Sequence, residues 1–119
     1  MKQPDPKKTG RPHLIFETKM HDFGTVKNGD KVTHIFRYTN EGDTTADIEI
    51  ITACDCTILE YDRTKPIKPG ESASIKAIFD TTTETGDVDK EITIILKNTD
   101  PPTGYPIVYE VRYKAKIID

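Results

Sequence analysis

From His13 onward the chain alternates apolar and polar residues with a period of two, the spacing of strands that bury one face and wet the other. The clearest run is "PIVYEVRYKAKI". Ile107, Tyr109, Val111, Tyr113, Ala115 and Ile117 share one face, and Val108, Glu110, Arg112, Lys114 and Lys116 share the other. "KVTHIFRYTN" groups Val32, His34, Phe36 and Tyr38 against Lys31, Thr33, Arg37 and Thr39. "ESASIKAIFD" aligns Ala73, Ile75, Ala77 and Phe79, and "KEITIILKN" aligns Ile92, Ile94 and Leu96. "ADIEIITAC" aligns Ala46, Ile48, Ile50, Thr52 and Cys54, and "HLIFE" is a shorter candidate strand. Ile35 and Ile95 fall on nominally wet faces, which is ordinary for single residues; with Val108 they also offer a shallow apolar surface.

Turn chemistry separates these runs: "KNGD" at 27–30, "NEGD" at 40–43, "KPIKPGE" at 65–71, "ETGD" at 84–87 and "NTDPPTGYP" at 98–106. Asn-Gly and Gly-Asp pairs suit the left-handed positions of tight turns. No window sustains a helical period. Six or seven short antiparallel strands predict a β-sandwich, formed by residues 13–119. The polar, Pro- and Lys-rich "MKQPDPKKTGRP" over residues 1–12 reads as a flexible leader or linker without the apolar stretch of a signal peptide.

Bulk properties narrow the function. At 119 residues the chain makes one domain and buries roughly 65% of its unfolded surface, enough for one core. A net charge of -3 argues against a nucleic-acid partner, because neutralising phosphates needs a basic surface. No apolar run approaches the roughly 20 residues of a membrane span. The chain lacks G-x-S-x-G, H-E-x-x-H and P-loop motifs, so it is read as non-enzymatic and without a cofactor. The absence of tryptophan weakens a carbohydrate-binding reading, since no indole platform is available for stacking.

The chemistry that remains lies in "TACDCTILEY", which holds both cysteines, Cys54 and Cys56. An extended strand separates Cα(i) and Cα(i+2) by about 6.6–6.8 Å, near the limit for a disulfide. A bond between the two sulfurs therefore requires the chain to turn at Asp55. Three readings stand open: two reduced thiols packed as small hydrophobes, a local or regulatory disulfide, and a copper or zinc site. The metal reading needs a third ligand, for which His34, on the inward face of its strand, is the best candidate. Otherwise His34 is a core-edge imidazole bonded to backbone. His21 is expected to shape the start of a strand, and His13 to be inert. The run "DTTTETGD" (80–87) does not fit calcium-loop spacing and reads as a solvated hairpin loop. Arg63, Lys65 and Lys68 read as a wet loop.

Three segments together carry a resemblance: "HDFGTVKNGDKVTHIFRYTNEGD" (21–43), "ACDCT" (53–57) and "PIKPGESASIKAIFDTTTETGDVDKEITI" (66–94). They resemble the bacterial domain-of-unknown-function family 1573. Its pattern is an opening D-F-G, F-x-x-x-N at a strand end, a central C-G-C-T, a P-G turn and a G-x-x-x-K-x-I-x-I strand. Here Asp55 replaces the central glycine, and the stretch from Asn40 to Cys54 is about a residue tighter. The resemblance implies an all-β, immunoglobulin-like antiparallel β-sandwich of about seven strands. It also implies export, to the periplasm, the outer membrane or the exterior, and no known activity. The expectation is a non-catalytic envelope module that binds another envelope protein. The alternative is a metal-binding or redox module using Cys54 and Cys56.

Overall fold

The alternating runs become eight strands in the computed structural model, which describes residues 10–62 and 64–119. They are β1 (Leu14–Phe16), β2 (Met20–Lys27), β3 (Lys31–Asn40), β4 (Ile48–Thr52), β5 (Thr57–Glu60), β6 (Ser72–Asp80), β7 (Gly86–Thr99) and β8 (Pro106–Ile118). One sheet has the order β1-β3-β6-β5 and the other β2-β8-β7-β4. The architecture is an all-β sandwich, as the alternation and turns predict, and it is immunoglobulin-like, as the family resemblance implies. Arg63, placed in a wet loop by its sequence, lies outside the described residues, as do residues 1–9 of the expected leader. Gly10 and Arg11 donate backbone N–H bonds to Asp43, and Pro12 is fully buried.

The inward faces meet in one core. Phe36, Ile75, Phe79, Ile92, Ile94, Val111 and Tyr113 are all fully buried, each on the face that alternation assigned. β3 and β6 pair without interruption from Lys31↔Asp80 to Thr39↔Ser72. β7 and β8 form the long ladder of the second sheet.

Three features depart from the sequence reading. First, β2 and β5 raise the strand count to eight, and β2 pairs with β8 in parallel, so that sheet is mixed. β2 lacks clean alternation because its ladder slips between Asp22 and Thr25, where Gly24 takes φ +73° and its N–H binds Asp22 Oδ1 at 2.8 Å. Such a bulge inserts a residue and hides the period. His21 therefore sits within a strand.

Second, β4 carries a bulge of its own. Ile48 pairs with Leu96, yet Ile50 already pairs with Ile95 and Ile51 with Ile94. Glu49 is the extra residue. Parity changes there: Ile48 and Ile51 are buried, while Ile50 is 37% exposed. The expected alignment of Ile48, Ile50 and Cys54 on one inward face is thus overturned. Beyond the bulge, Ala53 and Cys56 pack against the core.

Third, the 80–87 segment is not a hairpin loop. It carries the chain from β6 in one sheet to β7 in the other. Thr81 is fully buried there; its Oγ1 accepts from Gly29 N (2.9 Å) and donates to Asp30 O (2.7 Å). Asn28 Nδ2 donates to the carbonyls of Thr81 and Glu84, locking the 27–30 turn to this crossover.

Asn40 organises the opposite end. Its side chain is completely buried with every hydrogen-bonding group matched. Oδ1 accepts from His13 N (3.1 Å) and Gly42 N (2.9 Å), and Nδ2 donates to Thr44 O and Ile67 O, both at 2.9 Å. The F-x-x-x-N motif thus joins β1, the 40–44 turn and the 65–71 loop.

Candidate functional site

The chain leaves β4, an edge strand of one sheet, and enters β5, an edge strand of the other, within four residues. The turn at Asp55 and Cys56 makes this crossing, closed by Thr57 N–H donating to Cys54 O at 3.0 Å. It draws the cysteine Cα atoms to 5.2 Å, well inside the extended-strand spacing, and Cys54 and Cys56 are disulfide-bonded. Of the three readings of this pair the structure adopts the local disulfide, in place of two reduced, packed thiols. No non-glycine residue among those described has positive φ, so the turn accommodates Asp55 in place of the family's glycine.

The two sulfurs have different surroundings. Cys56 is part of the shell around the core, with Sγ 3.9 Å from Tyr113 Oη and 3.7 Å from Thr57 Oγ1. Thr57 Oγ1 also hydrogen-bonds the Tyr113 hydroxyl directly. Burial pushes the Tyr113 phenol above its usual pKa, and nearby Glu84 adds to this while the Thr57 bond opposes it. Cys54 Sγ lies 3.3 Å from Thr57 Oγ1, and Cys54 is among the residues that line an open surface cavity of about 320 Å3. The far wall of that cavity is β7, with Asp89, Lys90, Glu91 and Thr93. Lys90 is ion-paired to Glu84 at 2.5 Å, and Asp89 and Glu91 are tied to Arg112 at 3.0 and 3.1 Å.

His34 belongs to a different group. Its ring stacks on His21 with centroids 3.7 Å apart, and its edge meets Phe36. Nε2 is 3.3 Å from Thr18 Oγ1, so the imidazole pairs with a side chain where the sequence reading expects a backbone partner. Among the described residues no three His, Cys, Asp or Glu side chains converge in a way that could hold a metal ion. Cys54 and Cys56 bond to each other, and a disulfide sulfur lacks the thiolate charge that zinc or copper(I) binds. His13 is exposed, and its backbone is engaged with Asn40 and Glu41.

The apolar surface anticipated from Ile35, Ile95 and Val108 divides between the two sheets. Ile95 pairs directly with Val108 and with Ile50, giving one row across β4, β7 and β8. Val108 is 52% exposed. Ile35 lies on β3 in the other sheet. Ile50 entered this row only through the Glu49 bulge, which no sequence period signals.

One antiparallel and one mixed sheet packed face to face define an immunoglobulin-like β-sandwich module. The chain belongs to the family of proteins of unknown function DUF1573, which it matches over residues 14–111. Among proteins of curated function none matches by sequence. By structure it is similar to a protein of unknown function from Porphyromonas gingivalis, with TM-score 0.70 and 19% identity over 95% of this chain and 49% of that one. It is also similar to the ASH / PapD-like domain 7 of human CEP192, with TM-score 0.66 and 11% identity over 98% of this chain and 91% of that one. A third likeness is to the Vibrio cholerae VesB protease, with TM-score 0.68 and 17% identity over 92% of this chain and 33% of that one. The chain thus spans a third of VesB and about half of the P. gingivalis protein. At these identities the likenesses define the fold.

Proposed function

We propose that this domain is a non-catalytic interaction module of the bacterial cell envelope that packs a partner protein against an exposed sheet face. The observation carrying this reading is the row Ile50–Ile95–Val108, an apolar stripe on an outer sheet face whose inner side is already occupied by the core. Such a stripe gains by covering, since burial of apolar surface is the main favourable term in association. The fold, shared with a PapD-like domain that is a similar size, supports a scaffold for recognition. The likeness to VesB involves only a third of that protease and carries no activity across.

The test is a photo-crosslinking residue placed at Ile95, compared with one at Thr33 on the other sheet, in the bacterium that produces the protein. A discrete crosslinked species from position 95 that is lost with Val108→Glu is expected. Equal crosslinking from both positions, or none, overturns the reading. Fractionation of the same cells is expected to place the protein in the envelope; recovery in the cytosol overturns that part.

A second reading, a redox module, is favoured by one observation: the bonded Cys54–Cys56 pair borders an open cavity on one side.

A further inference from the structure

The disulfide does little for the fold. It spans a single intervening residue, and the entropy removed from an unfolded chain by a crosslink shrinks as the loop it closes shortens. The turn is also held independently. Thr57 N–H donates to Cys54 O (3.0 Å) and Asp80 N–H donates to Cys56 O (2.8 Å). A bond unnecessary to the turn can be opened and remade while the sandwich stays folded.

Both cysteines are half-buried, and the open cavity borders Cys54. The Glu49 bulge turns Cys54 toward the cavity beside β7, while Cys56 stays against Tyr113 and the core. Thiol–disulfide exchange needs an incoming thiolate to reach one sulfur in line with the bond, and a leaving sulfur whose negative charge is stabilised. Cys54 meets the first need and Cys56 the second. Disulfide sulfurs carry no proton, so Thr57 and Tyr113 supply the hydroxyl hydrogens at this site. One hydrogen joins their two oxygens, and the other faces sulfur: Cys54 or Cys56 through Thr57, or Cys56 through Tyr113. The second arrangement places a donor on the departing Cys56 thiolate.

Building on the redox reading, we propose that the Cys54–Cys56 bridge is a thiol–disulfide exchange site, with Cys54 the sulfur attacked and Cys56 the sulfur released. A thiolate from a small thiol or from a protein cysteine attacks Cys54 Sγ. A new S–S bond forms to Cys54 and the Cys54–Cys56 bond breaks, leaving its electron pair on Cys56 as a thiolate. A second thiolate attacks the external sulfur of the mixed disulfide, releasing Cys54. The two protons shed by the incoming thiols end on Cys54 and Cys56. Two thiols are oxidised to one disulfide and the protein disulfide is reduced to a dithiol. The exchange is stoichiometric, so it suits a switch on a binding module.

The experiment starts from the oxidised full chain, incubated separately with millimolar reduced glutathione and with reduced thioredoxin. Samples are quenched by alkylation and weighed by mass spectrometry, with circular dichroism followed in parallel. Reduction with unchanged β signal is expected, and the faster of the two reductants separates a small thiol from a protein dithiol as the natural source. A bridge that opens only when the chain unfolds overturns both the redox reading and the site. The assignment of roles is read separately. Cys56→Ser, which leaves Cys54, is expected to form a mixed disulfide with oxidised glutathione roughly tenfold faster than Cys54→Ser does. Peptide mapping of the transient adduct on the wild-type chain, which needs no variant, is expected to find it on Cys54. Exchange that proceeds with the adduct on Cys56, or equally on both, overturns the assignment while leaving the redox reading intact.

Discussion

His21 and His34 stack face to face across the sandwich, their ring centroids 3.7 Å apart and their planes 13° from parallel. His21 comes from β2 in one sheet and His34 from β3 in the other, so the pair bridges the two layers. Partial burial, then His21, then Arg37 hold the His34 pKa below the ordinary imidazole value. The unfolded chain then binds a proton at a higher pH than the folded one does. Stability from this contact is complete above about pH 6.5, the ordinary histidine value, and falls as pH drops from there toward the lower folded pKa. Urea midpoints measured at successive pH values across this window should decline as pH falls. The decline should shrink in His34→Gln; an unchanged slope would sink the assignment.

The buried Asn40 should be among the costliest single sites. Its removal strands Thr44 O and the N–H groups of His13 and Gly42, and leaves Ile67 O with Ala46 N alone. Asn40→Ala is expected to cost about 2–4 kcal/mol, as a buried network is left unmatched. Thr39→Ala, which removes an exposed bond to Ser72 Oγ, should cost well under about 1 kcal/mol. Comparable urea midpoints for the two variants would remove Asn40 from this role.

Gly42 is required by close approach. A Cβ there would overlap the backbone of Arg11, Pro12 and His13. Gly42→Ala is expected to cost about 1–3 kcal/mol by overpacking and to release Gly10–Pro12 from Asp43. Amide exchange at Gly10 and Arg11 should speed up in the variant; protection equal to wild type would contradict the packing.

The Glu49 bulge is tested by a pair of neighbours. Ile51→Ala should cost about 2–4 kcal/mol as a core truncation, and Ile50→Ala less than about 1 kcal/mol. A reversed order in denaturant titration would restore the unbroken alternation and return Ile50 to the core.

Metal addition separates the remaining chemistry at the cysteines. With Cys54 and Cys56 bonded, zinc or copper(I) should leave the melting temperature of the oxidised chain unchanged. A ligand that binds only the native state would raise stability by about 2.7 kcal/mol at a hundredfold excess over its Kd. A rise of that order, lost in His34→Ala, would establish the metal site in place of the disulfide.

What the sequence alone determined is the set of wet and dry faces in the unbroken strands. Phe36, Ile75, Ile94 and Val111 could be assigned inward because a half-buried strand must alternate. The family, matched over residues 14–111, is likewise a property of the sequence. Tertiary structure decided what alternation does not record: which edges pair, and where one residue too many is absorbed. Period-two spacing is blind to partners, so the parallel β2–β8 ladder had no signal. The Glu49 bulge exists because β4 and β7 must match backbone groups across a ladder, and a single extra residue reverses every side chain beyond it. That reversal put Cys54 on the side of the cavity, and the turn at Asp55 swung Cys56 in toward Tyr113. The turn at Asp55 then drew their Cα atoms to 5.2 Å, a separation that an extended strand cannot reach.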